Sequence, residues 1–163
     1  MRKLIPLMAC ILLAGCDYTV PLVKSPELKI DPEPVGLWQR TKQDGQVESL
    51  LVIPSSKTEY MVSLPAGSKN AMFARACLCR SGDLTLVQLE WFGTATGTVP
   101  DDNKVFQYAT FSVAGDTMTI RMLNTDLVKG TVKTSSELAK ALRANRDKSD
   151  CFHNEMVFRR VKK

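Results

Sequence analysis

The chain has 163 residues and a modest basic excess, with 22 Lys and Arg against 17 Asp and Glu for a formal net charge of +5. An excess of this size lacks the concentrated positive surface of a nucleic-acid-binding domain, and we expect no nucleic-acid partner. The length suits one folded core rather than several domains.

The N-terminal segment has the three parts of a secretory signal peptide. Arg2 and Lys3 form a short positive start, an uncharged run extends from Leu4 to Leu13, and small residues follow. This order of charge, apolar core and small-residue cleavage site is typical of exported proteins. The apolar run is too short to span a bilayer, which takes about 20 residues.

The segment Leu13-Ala14-Gly15-Cys16 resembles the lipobox of bacterial lipoproteins. The resemblance implies that residues 1–15 are removed, that Cys16 begins the mature chain, and that it carries a diacylglycerol and an N-acyl chain. Several acyl chains hold a protein on a membrane better than one, because each buried CH₂ contributes about 0.8 kcal/mol. The alternative is an ordinary signal peptide with an incidental cysteine.

The residue after Cys16 gives an indication of the membrane. Asp17 at this position is similar to the signal that keeps enterobacterial lipoproteins in the inner membrane. The resemblance therefore implies a protein that is anchored by lipid in a cell membrane and faces the periplasm, in the inner membrane if the source is enterobacterial. Loss of Arg2 and Lys3 with the leader lowers the net charge to +3, which favours an anionic membrane only slightly.

Residues 16–34 are rich in proline and have little apolar periodicity. This composition predicts an extended tether, which at about 3.1 Å per residue would hold a domain up to roughly 50 Å from the bilayer. The alternative is that part of the segment packs along the domain through Val20, Leu22 and Val23, and the two arrangements are compatible. We place a single β-rich domain at residues 35–163.

The rest of the chain alternates short apolar runs with turn signals such as Asp44-Gly45, which indicates antiparallel hairpins. We expect a mainly β fold, an antiparallel meander that forms a small barrel or sandwich. The predicted strands are 35–40, 47–53, 60–64, 72–80, 84–92, 104–113, 117–123 and 155–161.

One helix is expected before the last strand. Thr134 and Glu137 have the spacing of a capping box, in which each side chain satisfies a free backbone donor at the helix start. At the other end of the domain, Gly36-Leu37-Trp38 is similar to the Gly-x-Trp that opens many lipocalin-like barrels, where the tryptophan plugs one end. The alternative is a tryptophan buried in any β core.

Three cysteines remain in the expected domain. Cys77 and Cys79 lie two apart on a predicted strand, so their Cα atoms are about 6.5–7 Å apart on one face, at or beyond the limit for a disulfide. A bridge from one of them, Cys79, to Cys151 is the more plausible pairing in an exported protein. Alternatively, Cys77, Cys79, Cys151 and His153 form a site for zinc or Cu(I), or the thiols stay reduced and buried.

No motif for serine acyl transfer or phosphate binding is present in the sequence, and we expect a non-catalytic protein without a cofactor other than the lipid. The leading hypothesis is a lipoprotein whose β domain binds an envelope protein or a small apolar ligand. The alternatives are an accessory structural component of an envelope complex and a metal-handling protein. A ligand cavity inside a barrel would be lined by Tyr60, Met72, Trp91, Phe106 and Met118.

Overall fold

The structure, a computed structural model, describes residues 17–98 and 103–162. In these residues eight antiparallel strands form a closed barrel, in which each strand pairs with the next and β8 returns to β1. The elements are β1 (Gly36–Thr41), β2 (Val47–Pro54), β3 (Glu59–Leu64), β4 (Met72–Ser81), β5 (Leu84–Thr94), β6 (Phe106–Ala114), β7 (Thr117–Leu123), α1 (Ser135–Asn145) and β8 (Phe152–Arg160). The predicted antiparallel β fold is confirmed, and of the two expected architectures, barrel and sandwich, the structure is a barrel.

The turn signals in the sequence lie at the hairpins of the barrel. Gly45, between β1 and β2, has φ of 82°, and Gly115, between β6 and β7, has φ of 60°. Residues with a side chain rarely adopt these angles, so glycine makes both turns short enough for adjacent antiparallel pairing.

The barrel interior is a packed core to which the strands contribute alternate side chains. Trp38 and Phe158 have no exposed surface at all, and Met118 is 2% exposed. Eight strands enclose a space that side chains alone can fill. The buried interior cluster consists of Trp38, Leu50, Val52, Tyr60, Val62, Ala74, Ala76, Leu78, Trp91, Met118 and Phe158.

A second core lies on the outer side of the barrel wall. Leu138 and Leu142 of α1 pack against outward-facing residues of β4, β5 and β6. The predicted helix is confirmed: Thr134 caps it by accepting a hydrogen bond from the Glu137 N–H at 3.1 Å. The Glu137 carboxylate accepts from Lys133 N–H, one residue before the expected partner. Within the described residues no helix is long and apolar enough to cross a membrane.

Residues 17–34, called the strap here, run along the barrel instead of extending away from it. Tyr18 is 1% exposed, and its backbone pairs with Phe106 at the start of β6. Val20, Leu22 and Val23 pack against the outer core. These contacts are the packing along the domain that the sequence offered beside the extended tether. Proline does not prevent such packing, because a strap on the outside of a sheet needs few backbone donors.

The start of the strap fits tightly against the loop after β7. A Cβ atom on Gly130 would lie 2.2 Å from the carbonyl oxygen of Asp17, so the close approach requires glycine. The Tyr18 hydroxyl donates to the Val128 carbonyl at 2.6 Å in the same loop. The strap is thus part of the same folded unit as the barrel.

Candidate functional site

The residues predicted to line a ligand cavity fill the barrel instead. Tyr60, Trp91 and Met118 are buried members of the interior core, and Met72 packs against it. Phe106 was wrongly assigned to the interior, because the structure places it in the outer core.

The strap covers the barrel end at which β1 begins. Ile30 packs against the interior core, and its N–H donates to the Lys57 carbonyl at 3.0 Å. The Tyr60 hydroxyl donates to the Asp31 carbonyl at 2.8 Å and accepts from the Asp31 N–H at 2.7 Å. These contacts hold the strap across this end of the barrel.

Trp38 lies beneath the same end of the barrel. Its indole N–H donates to the Pro34 carbonyl at 2.8 Å, and the Arg160 guanidinium carbon lies 4.1 Å from the ring centroid. Arg160 also donates to the carbonyls of Glu33 and Val35. The tryptophan therefore plugs the barrel end and holds the strap to it at the same time.

The outer side of strands β1 to β5 carries a contiguous apolar surface, called the apolar face. Strand register places Leu37 opposite Leu51 and Ile53 opposite Met61. Isolated exposed apolar residues are ordinary, but contiguous ones on neighbouring strands mark interaction surfaces. The face consists of Leu37, Leu51, Ile53, Met61, Phe73 and Phe92, together with Val161, which follows β8 and donates its N–H to the Leu37 carbonyl.

Two aromatic rings form one edge of the apolar face. Phe73 and Phe92 stack with their ring centroids 6.5 Å apart, and Phe92 is 39% exposed. The guanidinium of Arg75 lies 6.0 Å from the Phe92 ring centroid. Phe73 itself is half-buried, and an exposed aromatic ring beside an arginine, as at Phe92, is a composition that protein interfaces favour.

The three cysteines are all buried and free in this structure. The Sγ atoms of Cys77 and Cys79 lie 4.0 Å apart on the outer side of β4. The Cys79–Cys151 bridge is not formed here and stays a prediction. His153 is half-buried on β8, opposite Met122.

The structure does not bring the predicted four-ligand metal site together. Within residues 17–98 and 103–162, no three His, Cys, Asp or Glu side chains are grouped closely enough to hold a metal ion jointly. The strand spacing correctly put Cys77 and Cys79 on one face, because side chains two apart on a strand point the same way.

Cys77 lies at the floor of a surface cleft of about 360 Å³, between the strap and strands β3 to β6. Its lining is Pro21, Val23, Lys24, Pro26, Glu59, Arg75, Ala76, Cys77, Gln88, Glu90 and Phe106. A more open cleft of about 630 Å³ lies between the β1–β2 turn and β8, and charged side chains such as Lys42 and Glu155 line it.

Gln88 holds the strap over this first cleft, a role that sequence reasoning missed. Its Oε1 accepts from the N–H groups of Leu22 at 2.7 Å and Val23 at 3.1 Å, and its Nε2 donates to the Val23 carbonyl at 2.9 Å. The same Nε2 lies 3.9 Å from Cys77 Sγ. A buried glutamine needs such partners, but only the folded structure identifies them.

The predicted lipidation site, Cys16, lies outside the described residues. The next residue, Asp17, is fixed to β6, since the N–H groups of Asp17 and Tyr18 donate to the Phe106 carbonyl at 3.2 Å each. Burial raises the pKa of Asp17, whereas the charge of Lys104 and a hydrogen bond with Gln107 lower it.

Comparison with protein-family models, curated proteins and solved structures finds no match to this chain.

Proposed function

We propose that this chain is a membrane-anchored bacterial lipoprotein whose barrel binds an envelope protein through the apolar face. The observation that carries the proposal is the contrast between a packed interior and a contiguous apolar exterior. A carrier of small ligands needs an interior space, whereas a protein-binding module needs an exposed apolar surface. The proposed role is non-catalytic and involves no nucleic acid.

The proposed anchor is the lipid on Cys16, with the barrel on the periplasmic side. Because Asp17 is paired with β6, the lipid would be attached one residue from the barrel wall. The barrel would then be held close to the bilayer and could not move outward on a long tether. Such an arrangement suits a partner that is itself in or near the same membrane, and the inner membrane is proposed if the source is enterobacterial.

Of the two alternative functions, the apolar face is compatible with a structural role and the packed interior opposes the binding of a small ligand. A role as an accessory structural component of an envelope complex would use the same apolar face and the same anchor. A small apolar ligand would have to displace packed side chains such as Trp91 and Met118, which are 6% and 2% exposed. The protein-binding proposal is therefore favoured over the ligand-binding one.

Site-specific photocrosslinking in cells tests the proposal. A benzophenone amino acid at Ile53 should yield one defined crosslinked product in the membrane fraction. The matched control is Ser112, which is also exposed on the outer side but lies on β6, four strands from β2 around the barrel. We expect no product at Ser112.

A charge on the apolar face should weaken this contact. Met61→Glu places a carboxylate next to Ile53 on an exposed strand, so it should reduce crosslinking from Ile53 by about tenfold or more, a loss of about 1.4 kcal/mol. The fold should tolerate the change because Met61 is 37% exposed. Equal products from Ile53 and Ser112, or no product from either, would contradict the protein-binding proposal.

A further inference from the structure

Cys77 and Cys79 form a pair of neighbouring thiols on the outer side of β4. Their Sγ atoms are 4.0 Å apart, too far for a bond and close enough for a shared ligand, and Gln88 Nε2 lies 3.9 Å from Cys77 Sγ. On a strand, residues two apart have Cα atoms about 6.5–7 Å from each other, at or beyond the range that disulfides span without strain. The geometry therefore opposes a disulfide between these two cysteines.

Cys77 is the member of the pair that lines the cleft beneath the strap. It retains 4% exposure, whereas Cys79 is 1% exposed and is not part of the lining. The lining carries two acidic side chains, Glu59 and Glu90, and two basic ones, Lys24 and Arg75, so its formal charge is balanced. A cation in the cleft would therefore meet the sulfur of Cys77 first.

A soft cation binds cysteine as the thiolate and not as the thiol. A cation bound to both sulfurs would displace the two thiol protons into the solvent.

The number and type of the ligands, two cysteine sulfurs, favour Cu(I) over zinc. Zinc takes four nitrogen, sulfur or oxygen ligands in structural sites, and no third His, Cys, Asp or Glu is grouped with this pair among the described residues. Thiolates select soft ions such as Cu(I), which accept low coordination numbers. We propose that Cys77 and Cys79 bind one Cu(I) ion beneath the strap, a site independent of the proposed protein-binding face.

Cu(I) titration of the full mature chain tests this site. The reduced protein is titrated anaerobically with Cu(I) in competition with a chromophoric Cu(I) chelator. We expect one equivalent of Cu(I) per chain, and C77S and C79S should each weaken binding by more than about tenfold. The matched control is C151S, which removes a third buried free thiol and should leave binding unchanged.

A labelling experiment on the wild-type chain covers the case in which a serine variant fails to fold. One equivalent of Cu(I) should protect Cys77 and Cys79 from alkylation in mild denaturant, as read by peptide mass, and should leave Cys151 unprotected. Absence of Cu(I) uptake by the folded wild type, or equal protection of Cys151, would overturn the proposal.

Discussion

Replacing Tyr18 by alanine should lower the free energy of unfolding by about 3–5 kcal/mol, the usual cost of deleting a buried aromatic ring. The ring is 1% exposed and meets Tyr108 edge to face, with 5.1 Å between centroids. Its hydroxyl is also the donor to the Val128 carbonyl. Equilibrium urea unfolding of the soluble mature domain measures the change.

Three further variants separate the effects of the Tyr18 ring, its hydroxyl and the loop that faces the strap. Tyr18→Phe keeps the ring and leaves the Val128 carbonyl without its donor, so we expect a loss of about 1–3 kcal/mol. Gly130→Ala disturbs the strap from the opposite side, and overpacking of this kind costs about 1–3 kcal/mol. Thr19→Ala changes an exposed neighbour and should alter stability by less than about 0.5 kcal/mol. If Tyr18→Ala is as stable as Thr19→Ala, the strap does not belong to the folded unit.

Replacing Trp38 by alanine should also cost about 3–5 kcal/mol, because the side chain is fully buried in the interior core. The change removes the indole donor to Pro34 and the stacking surface beneath Arg160, so it also loosens the strap at the barrel end. Thermal or urea unfolding of the variant measures the loss.

The adjacent residue on the same strand is the matched control. Leu37 points outward and is 38% exposed, so Leu37→Ala should cost much less than Trp38→Ala. Alternation along a strand puts these neighbours on opposite sides of the wall. A larger loss for Leu37→Ala would show that β1 faces the other way and that Trp38 does not plug the barrel.

The barrel was predictable because its signals are local. Each hairpin has its own turn residues, and Met118 and Ile120 alternate with polar neighbours on β7 as a half-buried strand requires. The predicted last strand begins too late, since β8 begins at Phe152 and pairs there with Leu123 after a register shift. Asn154 has a positive φ of 53° within the irregular stretch, and asparagine is one of the residue types that adopt it most readily.

The sequence offered the packing of Val20, Leu22 and Val23 only as an alternative, and it misplaced Phe106, because both features depend on contacts between distant segments. Strand β6 is apolar on both sides, with Phe106 and Tyr108 outward and Phe111 inward. A strand that is buried on both faces has no alternation from which to assign its sides. The strap has no regular structure of its own, and Tyr18 finds its contacts more than 80 residues away.

The candidate site was predictable only in part. The sequence put Cys77 and Cys79 side by side, because two-residue spacing on a strand fixes that relation. It could not show that the third thiol and the imidazole would stay apart, or that Gln88 would hold the strap over the pair. The apolar face was also hidden, since residues such as Ile53 and Phe92 come together only when strands β1 to β5 are in register.

Native mass spectrometry of the full-length protein, extracted from its own membranes without reductant or chelator, shows whether the chain is a lipoprotein anchored through Cys16. We predict a mature chain that begins at Cys16, carries the mass of the attached acyl chains and holds no apolar ligand in its packed interior. An unlipidated chain that begins at another residue would contradict the proposed anchor and, with it, the proposed place of this protein on the membrane.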